Sequence, residues 1–258
     1  MGRSLYCTSM KYVAMTLLLA ASIVSADETG PDAAKLLNDL TAANAAKDVT
    51  AISSLLKPIS EMALRAKDTK LLDPFAKELV TSYKLSKGNW GTMRQILDVL
   101  GDLRSKKGLS LLKKTAFQKK VKNDDFLKLQ IHAIAAIGKF GESKYIDALI
   151  DETKKRETKI ALAAYESFKS YGTAKGKARK RVAEELMKRL EAENPYKTSG
   201  NANAGPVGAE QIKRWGEISK PVVAALQAVC REDTINDLDN WREWWKENKK
   251  SRTAWKDK

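Results

Sequence analysis

Two cysteines and one histidine in 258 residues leave this chain unable to supply the four Cys or His ligands of a typical zinc site, or a framework of disulfides. Any Ser-His-Asp or Cys-His arrangement would have to use His132, the one histidine. There is no glycine loop of the phosphate-cradling kind, no calcium-loop spacing of side-chain oxygens, and no pair of carboxylates at a spacing that points to acid–base work. No stretch alternates β-branched residues for long enough to make a strand. No enzyme class finds support in these residues, and none of them implies a catalytic group, a metal or a cofactor.

What the chain has is apolar material and positive charge. Hydrophobic residues make up 43% of it and charged residues 31%, enough of the former for one or two packed domains. Lys and Arg number 47 against 32 Asp and Glu, a formal charge of +15.

Residues 1–26 read as a secretory signal peptide. Met10 and Lys11 open it, Val13 to Ile23 form a short apolar core, and Val24-Ser25-Ala26 places small residues at the positions that precede cleavage. The apolar run is shorter than the roughly 20 residues a bilayer span needs. Cys7 precedes this core, whereas a lipoprotein cysteine follows it, and translation can start at Met1 or at Met10. Cleavage after Ala26 leaves a periplasmic or secreted chain of charge +13, with Cys230 as its one cysteine and hence no internal disulfide.

Beyond that point, Leu, Ile, Ala and Val recur at three-four spacing from Pro31 to Trp245, which predicts an all-α protein. Residues 27–89 hold N-terminal helical hairpins. A first helix starts near Pro31, a second follows Asp48 with Pro58 set to kink it, and a third opens with Asp73 as N-cap and Pro74 at the first helical position. Gly88-Asn89-Trp90-Gly91 then breaks the chain, with Thr92 placed to cap the next helix.

Residues 90–193 repeat. Leu103, Phe140 and Tyr171 fall at equivalent places in three segments, and each segment leads into a second, more basic helix: Leu109 to Phe117, Tyr145 to Thr153, and Arg179 to Leu190. Two helices per period of this length predict an α-solenoid of stacked antiparallel hairpins. The Leu100-Gly101 and Ile137-Gly138 helix ends and the basic helices after them resemble the HEAT-repeat family, in its short bacterial HEAT-like or PBS-lyase form. The segment from Leu226 to Asn248 resembles the closing unit of secreted HEAT-like proteins of planctomycete-type bacteria. The resemblance implies a scaffold that binds other macromolecules.

Residues 194–208 form a polar Gly/Pro-bearing loop, either a mobile lid or a plain insertion. C-terminal helices and a tail fill residues 209–258. There Leu238, Trp241 and Trp245 share one helical face, with Trp244 beside them. They read as a terminal cap or, alternatively, as an aromatic platform for sugar or peptide that would work with the 194–208 loop. Trp255 falls off that register, in what reads as a loose tail. Trp90 and Trp215 read as packing residues, His132 as a solvated position beside Lys128, Ala136 and Lys139, and Cys230 as a small buried side chain.

The charge is concentrated. Residues 90–200 carry 25 Lys and Arg against 14 Asp and Glu. Three clusters stand out: Lys113, Lys114, Lys119, Lys120 and Lys122; Lys154, Lys155 and Arg156; and Lys175, Lys177, Arg179, Lys180 and Arg181. The first two suit helix C-termini, but the third begins a helix, where the dipole disfavours cations, and it calls for a compensating anion. Stacking of the second helices could align all three into one stripe. The partner this suggests is a protein or an anionic macromolecule of the cell envelope. Nucleic acid would fit the charge, but export and the lack of interleaved aromatics argue against it.

Overall fold

The computed structural model describes residues 30–121, 123–198 and 208–257, and within them the chain is all-helical, with no strand. The expected signal peptide with Cys7, Lys122, and residues 199–207 of the expected loop lie outside the described residues. The helices are α1 (Gly30–Ala46), α2 (Val49–Arg65), α3 (Asp73–Leu85), α4 (Trp90–Leu103), α5 (Leu109–Ala116), α6 (Asp124–Gly138), α7 (Ile146–Thr153), α8 (Thr158–Phe168), α9 (Gly176–Glu193), α10 (Ala209–Cys230) and α11 (Leu238–Asn248). Short 3-10 turns precede α3 and α7 and follow α8 and α9.

Side-chain caps set several starts, because an Asp or Asn oxygen can take a backbone N–H that the first helical turn leaves without a partner. Asp48 accepts from Thr50 and Ala51 N–H, both at 3.0 Å, Asn123 from Phe126 at 3.0 Å, and Asp237 from Asn240 at 2.9 Å. Two starts differ from the sequence expectation. Asp73 is the first residue of α3, not its cap; Leu72 holds the cap position, and the Asp73 carboxylate accepts from the Ser105 hydroxyl of the α4–α5 turn. Asn89, not Thr92, caps α4: its Oδ1 accepts from the Thr92 N–H at 3.2 Å, and Thr92 is buried inside the helix. α2 runs unbroken through Pro58.

The even-numbered helices pack in succession, α2 on α4, α4 on α6, α6 on α8 and α8 on α10, while α5, α7 and α9 each lie against the even helix that follows. Small residues permit the close approaches. A Cβ on Gly101 would sit 2.8 Å from the Ala136 Cα, one on Gly138 2.3 Å from the Ser167 Cβ, and one on Gly172 2.7 Å from the Ala228 carbonyl oxygen. Gly138 ends α6, as the sequence suggests, and also lets α6 approach Ser167, whereas Gly101 lies inside α4 and serves the contact. α4 continues to Leu103 and ends with Arg104 in the left-handed region, φ 48°.

Polar ties cross the same row. The Ser60 hydroxyl donates to Asp102 at 2.6 Å, Lys139 Nζ donates to the other Asp102 oxygen at 2.5 Å, and His132 Nδ1 lies 2.8 Å from Asp98. His132 is thus half-exposed but tied to α4, and Ala136, expected beside it, is buried against Gly101. Among the odd helices, two contacts tie α3 to the chain around α5: Asp73 at the start of α3 meets Ser105 of the α4–α5 turn, and Tyr83 near the end of α3 reaches the Thr115 side chain near the end of α5, so the two helices point the same way. Both contacts join positions separated by 32 in the chain, which is close to the period of the repeat.

Candidate functional site

The three basic clusters have different environments. In the third, Arg179 is fully buried at the start of α9. Its Nη1 donates to the Val229 carbonyl and its Nη2 to that of Lys256, both at 3.1 Å, and its guanidinium lies 5.8 Å from the Trp255 ring centroid. Burial, and Arg231 nearby, pull its proton affinity below the usual Arg value. Arg179 is a packing residue, not a surface one, because the C-terminal tail folds over it. The anion that the start of α9 calls for comes from the same tail: Asp257 accepts from the Gly176 N–H at 2.5 Å. Arg181 pairs with Asp147 of α7, while Lys175 and Lys177 are exposed and Lys180 is half-exposed.

The second cluster is neutralised residue by residue. Lys154 pairs with Asp151 at 2.7 Å, Lys155 with Glu152 at 3.8 Å, and Arg156 with Glu210 at 3.7 Å. These cations line an open groove of about 600 Å³ together with Arg214, Glu193 and Glu217. Arg214 spends its donors inside the fold, on Glu193 at 3.0 Å and on the carbonyls of Arg156 and Thr153 at 3.3 Å. With Lys213 the groove is lined by five cations and three carboxylates, Glu193, Glu210 and Glu217, so part of its positive charge is balanced within the lining. Beneath it, burial raises the Glu152 carboxyl against the pull of Lys155.

The first cluster is different. Lys113 and Lys114 are exposed on α5, Lys119 and Lys120 are exposed in the turn after it, and among the described residues no carboxylate lies within 4.0 Å of any of the four. This turn is anchored from below by Gln130, whose Nε2 donates to the Ala116 carbonyl at 2.8 Å and reaches the Gln118 carbonyl and Glu152 at 3.4 Å.

The clusters do not form one stripe. Arg181 joins the start of α9 to the start of α7, and Arg214 joins Glu193 at the end of α9 to the chain just after α7. The two helices are therefore parallel, and the second and third clusters sit toward opposite ends of α9, about 18 Å apart from Arg181 to Glu193 at 1.5 Å per residue. Gln130 places the first and second clusters on the same edge. Between α5 and α9, α7 exposes Asp147 and Asp151, which break the basic surface.

The tryptophans pack on one another. Trp241 is fully buried, and edge-to-face contacts join Trp244 to Trp241 at 5.6 Å and to Trp255 at 5.9 Å, with Trp245 6.0 Å from Trp255. Trp255 is not loose: its Nε1 donates to the Asn248 carbonyl at 2.9 Å. The fold thus buries Trp241 and leaves Trp244, Trp245 and Trp255 half-buried and packed edge-to-face, an arrangement that fits the terminal cap. Cys230 is buried, and burial pushes its thiol up to about 12, which removes it as a nucleophile at neutral pH. Burial likewise pushes the Tyr165 phenol up to about 12.

Among the described residues no group of three His, Cys, Asp or Glu side chains is placed to hold a metal ion, and no helix is long and apolar enough to cross a membrane. No protein-family model matches the chain, and neither a curated protein nor a solved structure matches it.

Proposed function

We propose that the chain is an exported HEAT-like α-solenoid, released by cleavage after Ala26, that binds a macromolecule of the cell envelope and performs no chemistry of its own. The observation that carries this reading is the recurrence of one kind of contact along the chain. Gly101 on Ala136, Gly138 on Ser167 and Asp98 on His132 each join a helix to the equivalent helix one period further on. A repeat whose helices meet only their neighbours grows into an extended surface suited to binding a partner. On this reading α11 and the Trp255 tail close the last unit, covering the apolar end that a further repeat would otherwise bury.

Charge contributes first through the first basic cluster, since all three cations of the second are paired and the third loses Arg179 and Arg181 to the fold. The test is capture of envelope material on the immobilised protein at rising salt. Partners held by charge elute as the Debye length falls from about 10 Å at 0.1 M to about 3 Å at 1 M. Capture that is indifferent to salt removes the electrostatic part of the reading, and no capture at any salt removes the scaffold itself.

A further inference from the structure

We infer that the outward surface of α3 and α5 is one continuous basic face that binds a flexible linear polymer with closely spaced backbone anions, of which a polyphosphate chain is the simplest. The inference rests on the scaffold reading above and names the chemistry of its partner.

The geometry comes from the 32-residue offset of the Asp73–Ser105 and Tyr83–Thr115 contacts, which sets Lys84 level with Ala116 and brings the turn after α3, with Lys87, to the same end as the turn after α5, with Lys119. Lys77, Lys84 and Lys87, all exposed on α3 or just after it, thus join the first cluster across the seam. The turn into α5 adds exposed Arg104, Lys106 and Lys107 at the other end of that helix. None of these six has a carboxylate within 4.0 Å among the described residues. The acids nearby are engaged or lie beyond the rim. Asp73, which takes the Ser105 hydroxyl, and Glu78, which takes the Asn44 amide at 2.8 Å, keep their charge but are half-buried, and Asp124 and Asp125 begin α6 past the far end of the face. Such a concentration of one sign repels itself, and a polyanion relieves that repulsion.

The composition of the face selects the class of partner. Protein interfaces gather apolar and aromatic residues and arginine at their centre and are poor in lysine. Here every cation but Arg104 is a lysine, and the large apolar side chain exposed beside the face is Val121, 40% exposed. Lysine is a point charge without the planar fork that reads a base or a paired carboxylate, and among the described residues of this face no exposed aromatic offers a stacking surface. Recognition is therefore by charge spacing, which suits a polymer whose anions lie on its backbone.

The experiment titrates the full chain into fluorescent long-chain inorganic polyphosphate at several salt concentrations. The triple variant Lys84→Gln, Lys113→Gln, Lys114→Gln should bind at least tenfold more weakly at low salt. The slope of log K against log salt should fall by about 2, at roughly 0.7 per lost contact with a flexible strand. A matched triple on α9, Lys175→Gln, Lys177→Gln, Lys180→Gln, should stay within twofold of the unmodified protein. Equal weakening by both triples overturns the assignment, because net charge alone would then explain binding. Tighter binding of polyglutamate than of polyphosphate at equal charge overturns it in favour of an acidic protein. Absent polyphosphate binding with salt-sensitive envelope capture intact removes this face and leaves the scaffold; loss of both removes both. Far-UV circular dichroism confirms that each triple is folded.

Discussion

Replacing Gly138 by alanine tests the helix row directly, because the space for the new methyl is occupied. The added Cβ would lie 2.3 Å from the Ser167 Cβ, 2.8 Å from its Cα and 2.9 Å from its carbonyl oxygen, where ordinary contact is 3.4–4 Å. Two of these obstacles are backbone, so no rotamer change relieves them, and α6 must move about 1 Å away from α8 in an interior with no slack to absorb it. Overpacking of this kind costs about 1–3 kcal/mol, and the backbone contacts put it at the upper end. Alanine recovers up to about 1 kcal/mol of helix propensity, less at the end of a helix. The net loss is about 2 kcal/mol, or about 4–8 °C in Tm for a domain of this size.

Gly216→Ala in α10 is the control, since nothing lies within 4 Å of where its methyl would stand and the residue is exposed. It should gain about 0.5–1 kcal/mol and raise Tm by a few degrees. Thermal melts followed by circular dichroism in the far ultraviolet read both variants. A Gly138→Ala protein that melts with or above the unmodified one would refute the close packing of α6 on α8.

Three further outcomes follow from the buried polar groups. Arg179→Ala strips the Val229 and Lys256 carbonyls of their donor and should cost about 3 kcal/mol by urea denaturation, with a change in tryptophan emission as Trp255 loses its neighbour; a loss under about 1 kcal/mol contradicts the assigned bonds. A carboxyl raised by folding stabilises the fold below its unfolded pKa and loses that contribution as pH rises through the folded value. Glu152→Gln should therefore be at least as stable as the unmodified protein at pH 7, its relative advantage shrinking as pH falls toward 4.5; urea melts showing the opposite trend would reject burial as the cause. The Cys230 thiol should resist Ellman's reagent at pH 8 in the native protein and react with one equivalent in urea, and rapid native reaction would contradict its burial.

Much of the helix layout was legible in the chain, and the exceptions are instructive. Asp48, Asn123 and Asp237 stand where short polar side chains cap helices, and apolar spacing marked the cores of α4, α6 and α8. Thr92 misled because two capping residues lay one helical turn apart, and Asn89 reaches the Thr92 N–H from outside the helix. Asp73 misled because a carboxylate suited to capping was instead taken up by Ser105, which lies a full repeat further along the chain. The glycines at 101 and 138 both look like helix ends in sequence; Gly138 is one, Gly101 is not, and what faces them, Ser167 and Ala136, is set only by the packing.

The candidate site was less legible, because charge is counted along the chain but felt across space. Local clustering singled out Lys113 to Lys120 and also drew attention to Arg179, which is buried. It passed over Lys77, Lys84 and Lys87, which are spaced along a helix and diluted by neutral residues. Laying the offset between α3 and α5 over the cations would have brought Lys84 and Lys87 beside Lys113 to Lys119.

The sequence by itself determined that the protein is helical and that most of its excess positive charge, +11 of +15, lies in residues 90–200, since both are properties of local order and spacing. Only the tertiary structure decided which cations remain free. Whether a lysine meets a carboxylate depends on which helices lie side by side: Asp151, Glu152 and Glu210 pair the second cluster, the C-terminal tail buries Arg179 and Asp147 takes Arg181 of the third, and among the described residues Lys175, Lys177 and Lys180 stay unpaired like the lysines of the first.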